Sequence, residues 1–330
     1  MFGSFIQELH ITSLDLIVEK FLRVHGIEGK HICVALSGGM DSMVLLDAVD
    51  QLKSALHLDL SAIHVHHGLS ANADAWAAFC AGVCATRGVA LTTKRVVVDK
   101  SSPSGLEGAA RAARYAAFAE VVAPTILLAQ HADDQAETVL HQLLRGTGLK
   151  GLAGMGEVRV VSDQQTILRP LLTLSRADIE ATALARGLKW IYDESNDDTA
   201  YTRNFLRHEI TPRLLTRFPH YRASLARAAR HASEADEMLE ALAKIDLQWD
   251  GEIASADALD ALPMPRQINA LYHWLHWQNV SPPSYAQLAE WAQQLFRAAP
   301  LSKPQRAGGH DFVIRRTNNR LILQSTSLPK

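Results

Sequence analysis

Apolar and polar positions alternate along the first half of the chain in blocks that fit strands and helices in turn. Short apolar runs predict strands over 32–36, 58–66, 90–98 and 125–129. Apolar positions at helical spacing predict helices over 12–25, 42–55, 72–87, 105–122 and 133–145. Strands separated by helices of this length predict right-handed crossovers. The pattern therefore predicts an α/β, Rossmann-like domain with a parallel sheet covered on both faces.

Polar clusters follow three of the predicted strands. They occupy residues 37–42, 64–68 and 130–137. Ligands of parallel sheets bind at the carboxyl ends of the strands, where such clusters meet. The sequence therefore predicts one functional site at this edge of the sheet.

The cluster after the first strand, LSGGMDS, has the chemistry of a phosphate-binding loop. Gly38 and Gly39 let the main chain approach a ligand closely, and the following helix adds its positive N-terminus. Ser37 and Ser42 can donate hydrogen bonds to phosphate oxygens. Asp41 would repel a bare anion, but it fits if Mg²⁺ accompanies the phosphates. The alternative is a tight strand-to-helix turn with Asp41 or Ser42 as the N-cap. The lysine of a Walker A loop is absent.

The cluster QHADDQAET offers two carboxylates on one helical face. If the helix begins near Asp134, Glu137 lies one turn further on, and the pair can hold Mg²⁺ or an ammonium group. The same spacing is also that of a capping box, and the two interpretations are compatible, with one residue capping the helix and the other binding the cation. His64, His66 and His67 invite a zinc interpretation, but familiar ligand spacings are absent around them. Substrate contact or packing at the sheet edge is favoured for these histidines.

A glycine-rich stretch, GTGLKG, follows the predicted helix over 133–145. It matches G-x-G-x-x-G literally, but a dinucleotide-binding loop follows a strand, not a helix. We interpret it as a flexible loop with Arg145 and Lys150 as phosphate contacts.

Residues 200–231 are rich in arginine and contain a single acid, Glu209. A helix running from Pro212 to about Ile245 would align several of these arginines as a phosphate-tracking surface. Tyr201, Phe205 and Tyr221 can stack on unpaired bases. The alternative is a domain-joining helix with solvated arginines. The arginines are Arg203, Arg207, Arg213, Arg217, Arg222, Arg227 and Arg230.

The composition shifts after Trp249. Helices are predicted over 262–277 and 285–296, followed by a hairpin of 311–314 and 320–323 with Asn318 and Asn319 at the turn. These elements predict a smaller, mainly helical C-terminal domain. The expected division is a first domain over 1–218, a linking helix over 219–248 and a C-terminal domain over 249–330.

Composition and charge narrow the class of protein. The 330 residues are 48% hydrophobic and 21% charged, with a net charge of −2, so nucleic-acid binding requires a local basic patch. Apolar runs of the ~20 residues that span a bilayer are absent, and the N-terminus lacks the pattern of a signal peptide. Three cysteines suit a reducing compartment, which predicts a cytoplasmic protein. Cys80 and Cys84, one turn apart, are expected on the buried face of a helix.

Together these motifs resemble one family. SGGMDS is similar to the pyrophosphate-binding loop of PP-loop ATPases, whose fold is adenine nucleotide alpha hydrolase-like. The whole set resembles bacterial tRNA(Ile)-lysidine synthetases, in the family's order and over about two thirds of the chain. One departure is Gln130, where the family often has a second histidine. The matching pieces are LSGGMDS (36–42), HVHHGLS (64–70), ARYAAF (113–118), HADDQAET (131–138), LLRGTGLKGLAGM (143–155), RPLL (169–172) and DESNDDTAYTRNFLR (193–207).

The resemblance implies a two-step reaction on tRNA. The family uses ATP and Mg²⁺ to adenylate the C2 carbonyl oxygen of the wobble cytidine in a minor isoleucine tRNA with a CAU anticodon. The ε-amine of L-lysine then attacks C2 and expels AMP, which gives lysidine. The pyrophosphate-binding residues implied here are Ser37, Gly38, Gly39, Met40, Asp41 and Ser42, with Asp41 near Mg²⁺.

Further roles follow from the same resemblance. Arg114 is expected to neutralise charge on the α-phosphate, and His131 is expected near the nucleotide. Asp134 and Glu137 are expected to hold the lysine ammonium, and one of them is expected to help deprotonate it. Expected contacts with tRNA are Arg145, Lys150, Arg203, Asn204, Arg207 and Arg222. The resemblance implies that residues 1–218 are a PP-loop ATP-binding catalytic domain and that residues 249–330 are a tRNA-binding domain. The chain resembles short members of the family that lack a second C-terminal domain. A homodimer is left open.

Two rival interpretations stay open at this point. A PP-loop tRNA thiolation enzyme also adenylates a base, but such enzymes commonly need a C-x-x-C pair, which Cys33, Cys80 and Cys84 do not supply. The other rival is a non-catalytic RNA-binding module with a vestigial nucleotide site. The intact serines, glycines and aspartate of the loop argue against it.

Overall fold

The computed structural model describes residues 14–102, 105–251, 254–280, 282–297, 305–307 and 310–325. The chain forms two compact units, Met1–Ala229 and Arg230–Lys330. The first helix, α1, covers 14–24, and the start of the predicted helix lies outside the described residues. None of the described helices is long and apolar enough to cross a bilayer.

The first unit is built on a six-stranded sheet. Its order is β3-β2-β1-β4-β6-β5, and every neighbouring pair is parallel except β6 and β5. The central strand is apolar and buried on both faces, as a covered parallel sheet requires. This confirms the predicted α/β class. The strands are β1 (His31–Ala35), β2 (Asp59–His66), β3 (Ala90–Arg95), β4 (Thr125–Leu127), β5 (Val158–Ser162) and β6 (Gln165–Leu168).

The sheet differs from the prediction at both of its edges. The strand predicted over 90–98 ends at Arg95, because Arg95 pairs with His66, the last residue of β2, and Val97 is 95% exposed. Strands β5 and β6 were not predicted. Every residue of β5 is exposed, so this edge strand lacks the alternation that marks a half-buried strand.

Helices cover both faces of the sheet. One apolar core joins α1, α2, α3 and α7 to the sheet, and a second joins α4 to the opposite side of β1 and β4. Cys80 and Cys84 are buried in the first core, as predicted. The helices are α2 (Met40–Leu52), α3 (Ala73–Arg87), α4 (Gly105–Ala119), α5 (Ala132–Leu144), α6 (Leu149–Leu152) and α7 (Arg176–Ala185).

The arginine-rich segment is not one helix. It forms α8 (Thr202–Phe205), a π-helical turn (Leu206–Ile210), α9 (Thr211–Arg217) and α10 (Tyr221–Asp246). The continuous helix predicted from Pro212 is therefore wrong. Pro219 explains the break, because proline lacks an N–H and disfavours helical angles at the residue before it. The predicted end near Ile245 is confirmed.

The second unit contains α11 (Asp257–Asp260), α12 (Met264–Trp277) and α13 (Tyr285–Arg297), followed by a three-stranded sheet. Trp274 and Trp291 anchor its core. The sheet consists of β7 (Gln305–Ala307), which was not predicted, β8 (His310–Thr317) and β9 (Arg320–Ser325). Asn318 and Asn319 have φ angles of 47° and 63°, which a two-residue hairpin loop requires. The predicted helices and hairpin are confirmed.

Candidate active site

A cavity of about 520 Å³ opens at the carboxyl ends of β1, β2 and β4. Its size is typical of a small-molecule site. The polar clusters after these strands all contribute to its wall. Predicted site residues that line it are Ser37, Gly39, Met40, Asp41, Ser42, Arg114, Asp134, Arg203 and Arg207.

The loop between β1 and α2 is held by its own serines. Ser37 Oγ lies 3.1 Å from Ser42 Oγ and accepts from the N–H of Gly39 at 3.2 Å. Ser42 Oγ accepts from the N–H of Gly38 and donates to the Gly39 carbonyl at 2.9 Å. Both hydroxyl groups are therefore engaged inside the loop.

Helix α2 begins at Met40, two residues before the predicted start, and Gly39 is its N-cap. Neither Asp41 nor Ser42 caps the helix, so the capping alternative is wrong. The first amides of a helix lack intrahelical partners. The loop and the helix start thus combine into a positively polarised end that faces the cavity.

Gly38 is required by both conformation and space. Its φ is +89°, and a Cβ there would lie 2.5 Å from Ile191 Cδ1. The Ile191 N–H also donates to the Gly38 carbonyl at 2.8 Å, which fixes the two segments together.

We expect Gly38→Ala to lower the free energy of unfolding by at least about 1–2 kcal/mol, because the left-handed conformation and the contact with Ile191 both oppose a side chain. Gly39→Ala is the matched control, since its φ is −71° and its Cβ would meet Ser37 Oγ at 3.4 Å. Thermal unfolding of both variants checks this. Equal stability of the two would contradict it.

His131 connects the loop to the carboxylates of α5. It is the N-cap of α5, and its Nδ1 accepts from the N–H of Asp134 while Asp134 Oδ2 accepts from the N–H of His131. The capping box is thus His131 with Asp134, and the alternative of a box formed by Asp134 and Glu137 is wrong. His131 Nε2 lies 3.7 Å from Asp41 Oδ2 and 3.5 Å from Asp134 Oδ2.

These carboxylates control the charge of His131. Burial lowers its pKa, but the side chains of Asp41, Asp134 and Asp133 outweigh burial and raise the pKa above its ordinary value. The imidazole therefore carries a proton at higher pH than a free histidine and can exchange it with a neighbouring carboxylate.

Glu137 is buried and forms a bidentate ion pair with Arg207. Arg207 Nε donates to Oε1 at 2.7 Å and Nη2 donates to Oε2 at 2.9 Å, while Nη2 also reaches Asp134 Oδ1 at 3.1 Å. Burial raises the pKa of Glu137, and Arg207 only partly offsets it. Arg207 lies in the π-helical turn, a distortion common at functional sites. Asp134 and Arg207 face the cavity, whereas Glu137 lies outside its lining.

Two further arginines contribute to the wall. Arg114 projects from α4, and Arg203 donates to Thr138 Oγ1 at 3.0 Å and lies 3.7 Å from Glu107 Oε1. These contacts fix Arg203 beside the first turns of α5.

Four other predicted residues lie outside the cavity lining. Asn204 donates to the carbonyls of Ser195 and Asp198, so it holds the turn of residues 195–198 in place. Arg222 pairs with Asp133 at 2.7 Å. Arg145, the C-cap of α5, and Lys150, in α6, are exposed; α6 is a short helix in the stretch that was predicted as a flexible loop.

The three histidines of the second cluster occupy different environments. His64 Nδ1 lies 2.9 Å from the Leu36 carbonyl, and His66 Nε2 lies 3.2 Å from Asp74 Oδ1. Burial lowers the pKa of His67 to about 4, helped by Arg114. Among the described residues, no group of three or more histidine, cysteine, aspartate or glutamate side chains is arranged to hold a metal ion.

Sequence reasoning missed several aromatic and basic side chains of the wall, among them Trp76, Arg111, Tyr115, Trp190 and Tyr192. Arg111 and Tyr115 were predictable, because Arg111 lies one helical turn before Arg114 and Tyr115 on the same helix. Trp190 and Tyr192 were not predictable, since only the tertiary fold brings them to the loop.

The two units match two family models. Residues 12–214 match a PP-loop domain, and residues 255–322 match a TilS substrate binding domain. Among solved structures, the chain is similar to the U34-tRNA thiolase NcsA from Methanococcus maripaludis with its 4Fe-4S cluster, at 19% identity and a TM-score of 0.57. That match covers 69% of this chain and 80% of the other, and it shows the fold alone.

Curated relatives show much higher identity. The tRNA(Ile)-lysidine synthase of Azoarcus sp. is 44% identical over 83% of this chain and 62% of its own length. The tRNA(Ile)-lysidine synthase of Burkholderia pseudomallei is 47% identical over 81% of this chain and 56% of its own length. The chain therefore spans about three fifths of the length of these two relatives. The enzyme of Actinobacillus pleuropneumoniae is 41% identical over 89% of this chain and 70% of its own length. The chain belongs to the tRNA(Ile)-lysidine synthase family.

Proposed function

We propose that the protein attaches lysine to C2 of the wobble cytidine in the CAU anticodon of a minor isoleucine tRNA, at the expense of ATP. The products are lysidine in the tRNA, AMP and pyrophosphate. One observation carries this proposal: a phosphate-binding loop and an acid–base cluster face the same cavity and meet at His131, which lies 3.7 Å from Asp41 and 3.5 Å from Asp134. Adenylation requires the phosphate-binding loop and amine transfer requires the acid–base cluster, so the two must lie side by side for both steps to occur on one bound base.

The loop of residues 37–42 binds the β- and γ-phosphates of ATP, which leave as pyrophosphate. The amides at the start of α2 and the helix dipole favour this anion. Asp41 Oδ1 is buried without a hydrogen-bond partner in the described part of the chain, which suits a cation bound there. Mg²⁺ fits, because it uses one or two carboxylates together with phosphates and water. When bound, Mg²⁺ supplies neutralisation of the polyphosphate charge.

In the first step, the cytosine O2 atom bonds to the α-phosphorus as the bond to the pyrophosphate oxygen breaks. Arg114 stabilises the charge that develops on the α-phosphate oxygens, a task for a guanidinium fixed in the wall. The adenylated base then carries AMP as a leaving group at C2.

In the second step, the lysine amine bonds to C2 and AMP departs. Asp134 is the carboxylate of the acidic pair that faces the cavity, so it receives the ammonium, and Glu137 keeps Arg207 in place beside it. The amine must lose a proton before attack, and Asp134 with His131 accepts it. An ammonium that also bound Glu137 would have to displace Arg207.

The tRNA approaches the cavity along the segment that carries Arg203 and Arg207. Arg145, Lys150, Arg222 and Asn204 stay as proposed contacts outside the cavity. Tyr221 is only 6% exposed, so Tyr201 and Phe205 are the better candidates for base stacking. The proposal also includes the division of the chain into a catalytic domain over 1–218, a linking helix over 219–248 and a tRNA-binding domain over 249–330. It includes a cytoplasmic location.

The cysteines oppose the thiolation alternative. All three are buried and free, and burial raises the pKa of Cys33 to about 11 and that of Cys80 to about 12. A thiol used in sulfur transfer must be accessible and readily ionised.

Incubation with labelled lysine, ATP, Mg²⁺ and an isoleucine tRNA bearing CAU tests the proposal. We expect label in the tRNA together with equimolar AMP and pyrophosphate, and none with the same tRNA bearing GAU. The Cys80→Ala and Cys84→Ala variants should retain incorporation. Sulfur in the tRNA, or absence of pyrophosphate release, would show that the proposal is wrong.

A further inference from the structure

The wall of the cavity that α4 forms carries guanidinium groups without an assigned partner. The guanidinium carbon of Arg111 lies 5.0 Å from the centre of the Tyr115 ring, and that of Arg159, on β5, lies 4.6 Å from it. Arg111 Nη2 also donates to the Tyr115 hydroxyl at 3.3 Å. Aromatic contacts of this kind orient a guanidinium without neutralising it. We call Arg111, Tyr115 and Arg159 the Tyr115 cluster; Arg114, on the same helix, keeps its proposed role at the α-phosphate.

The positive charge of this cluster is not balanced by acids. Across the described residues, neither Arg111, Arg114 nor Arg159 forms an ion pair. Burial and the neighbouring Arg111 lower the pKa of Arg114, and the acid that opposes this shift, Glu107 on the same helix, lies 3.7 Å from Arg203. Burial raises the pKa of the Tyr115 phenol, yet the nearby guanidinium groups outweigh burial and lower it, which reports a positive local potential.

The arginines that the sequence marked as a phosphate surface contrast with this cluster. Most of them pair with an acid: Arg203 with Glu107, Arg207 with Glu137, Arg213 with Glu209, Arg222 with Asp133 and Arg230 with Glu234. Paired arginines release fewer counterions when they meet a phosphate. The α4–β5 side is therefore the stronger anion-binding surface of the described first unit.

The cluster also has the shape that a polymer needs. Arg111 and Tyr115 line the cavity, whereas Arg159 lies outside its lining on the exposed edge strand β5. A mononucleotide bound in the cavity would contact the lining residues but would not need Arg159. A nucleic-acid chain with one nucleotide in the cavity carries its flanking phosphates outside it, and Arg159 lies outside the lining but against Tyr115, which is part of the lining.

We propose that the Tyr115 cluster binds the tRNA phosphodiester backbone next to the nucleotide held in the cavity, with Arg159 as the outer contact. This proposal rests on the proposed function, because it takes tRNA as the polymer. Both the tRNA backbone and ATP present phosphate groups that this cluster could bind. The test therefore measures tRNA binding and ATP binding separately.

The test compares Arg159→Gln with wild type in two measurements. Affinity for the CAU isoleucine tRNA is measured over a range of salt concentrations, and the KM for ATP is measured at saturating tRNA. We expect the slope of log affinity against log salt to become shallower by about 0.7, the value for one phosphate on a single strand, with the KM for ATP unchanged. Arg159→Lys should show a slope of log affinity against log salt close to that of wild type, because lysine keeps the positive charge.

A matched control is Arg23→Gln, which removes the same charge from α1, where Arg23 pairs with Glu19 and Glu28. It should leave both measurements unchanged. An unaltered slope for Arg159→Gln, a slope change equal to that of Arg23→Gln, or a raised KM for ATP with an unaltered slope would each overturn the proposal. If Arg159→Gln shows the shallower slope but wild-type protein incorporates no lysine, the proposed function fails while this binding site stands.

Discussion

Asp41→Asn should reduce the rate of lysine incorporation by a factor of about 10²–10³ and leave thermal unfolding close to wild type. The Asp41 carboxylate is buried at Oδ1 without a hydrogen-bond partner in the described residues, so the fold gains little from it. Asparagine keeps the shape but loses the negative charge that a cation or a protonated His131 requires. Initial rates of AMP formation with saturating tRNA and lysine measure the effect.

Asp50→Asn is the matched control for this change. Asp50 lies on the same helix, α2, and pairs with Lys53 and Arg87 away from the loop. Its replacement should change the rate by less than about twofold, since partly exposed ion pairs contribute little. A rate for Asp41→Asn above a tenth of wild type, or a Mg²⁺ requirement identical to that of wild type, would show that Asp41 is not the cation ligand.

The sequence predicted the loop and the central sheet because each depends on neighbouring residues. The apolar run of β1, the two glycines and the helix that follows all lie within the 22 residues from His31 to Leu52. Gly38 shows the limit of this reasoning. Its freedom of φ was predictable from the glycine alone, but its contact with Ile191 depends on a segment more than 150 positions away.

Charge pairing was the least predictable feature of the site. Asp134 and Glu137 were expected to present two open carboxylates, yet Arg207, seventy positions beyond Glu137, bonds to both. The predicted start of α5 was also misplaced, because the residue that caps this helix is unusual. His131 is an unusual N-cap, so the pattern alone placed the start of α5 one to two residues late. Strand β5 was missed because an exposed edge strand need not alternate.

Arg207→Gln should lower the unfolding midpoint by about 10 °C, more than the double variant Glu137→Gln, Arg207→Gln. Removing one partner of a buried ion pair leaves an uncompensated charge and costs about 3–5 kcal/mol, whereas removing both leaves none. Arg213→Gln is the matched control, because it breaks the exposed pair with Glu209 and should cost less than about 1 kcal/mol. Thermal unfolding of these three variants and of wild type measures the differences. A double variant that unfolds at a lower temperature than Arg207→Gln would contradict the prediction.

The fall in the unfolding midpoint of Arg207→Gln should depend on pH, and the pKa of Glu137 sets the direction of this dependence. Burial raises its folded pKa above the unfolded value, so the folded state favours the protonated acid. Its contribution to stability is therefore greatest below the unfolded pKa and is lost as pH rises through the folded pKa. Without Arg207, which lowers that pKa, the folded value rises further and the loss extends to higher pH. The midpoint of Arg207→Gln should thus fall further below wild type at about pH 8 than at about pH 5.5. An equal difference at both pH values would mean that Arg207 stabilises the fold through contacts other than the Glu137 carboxylate.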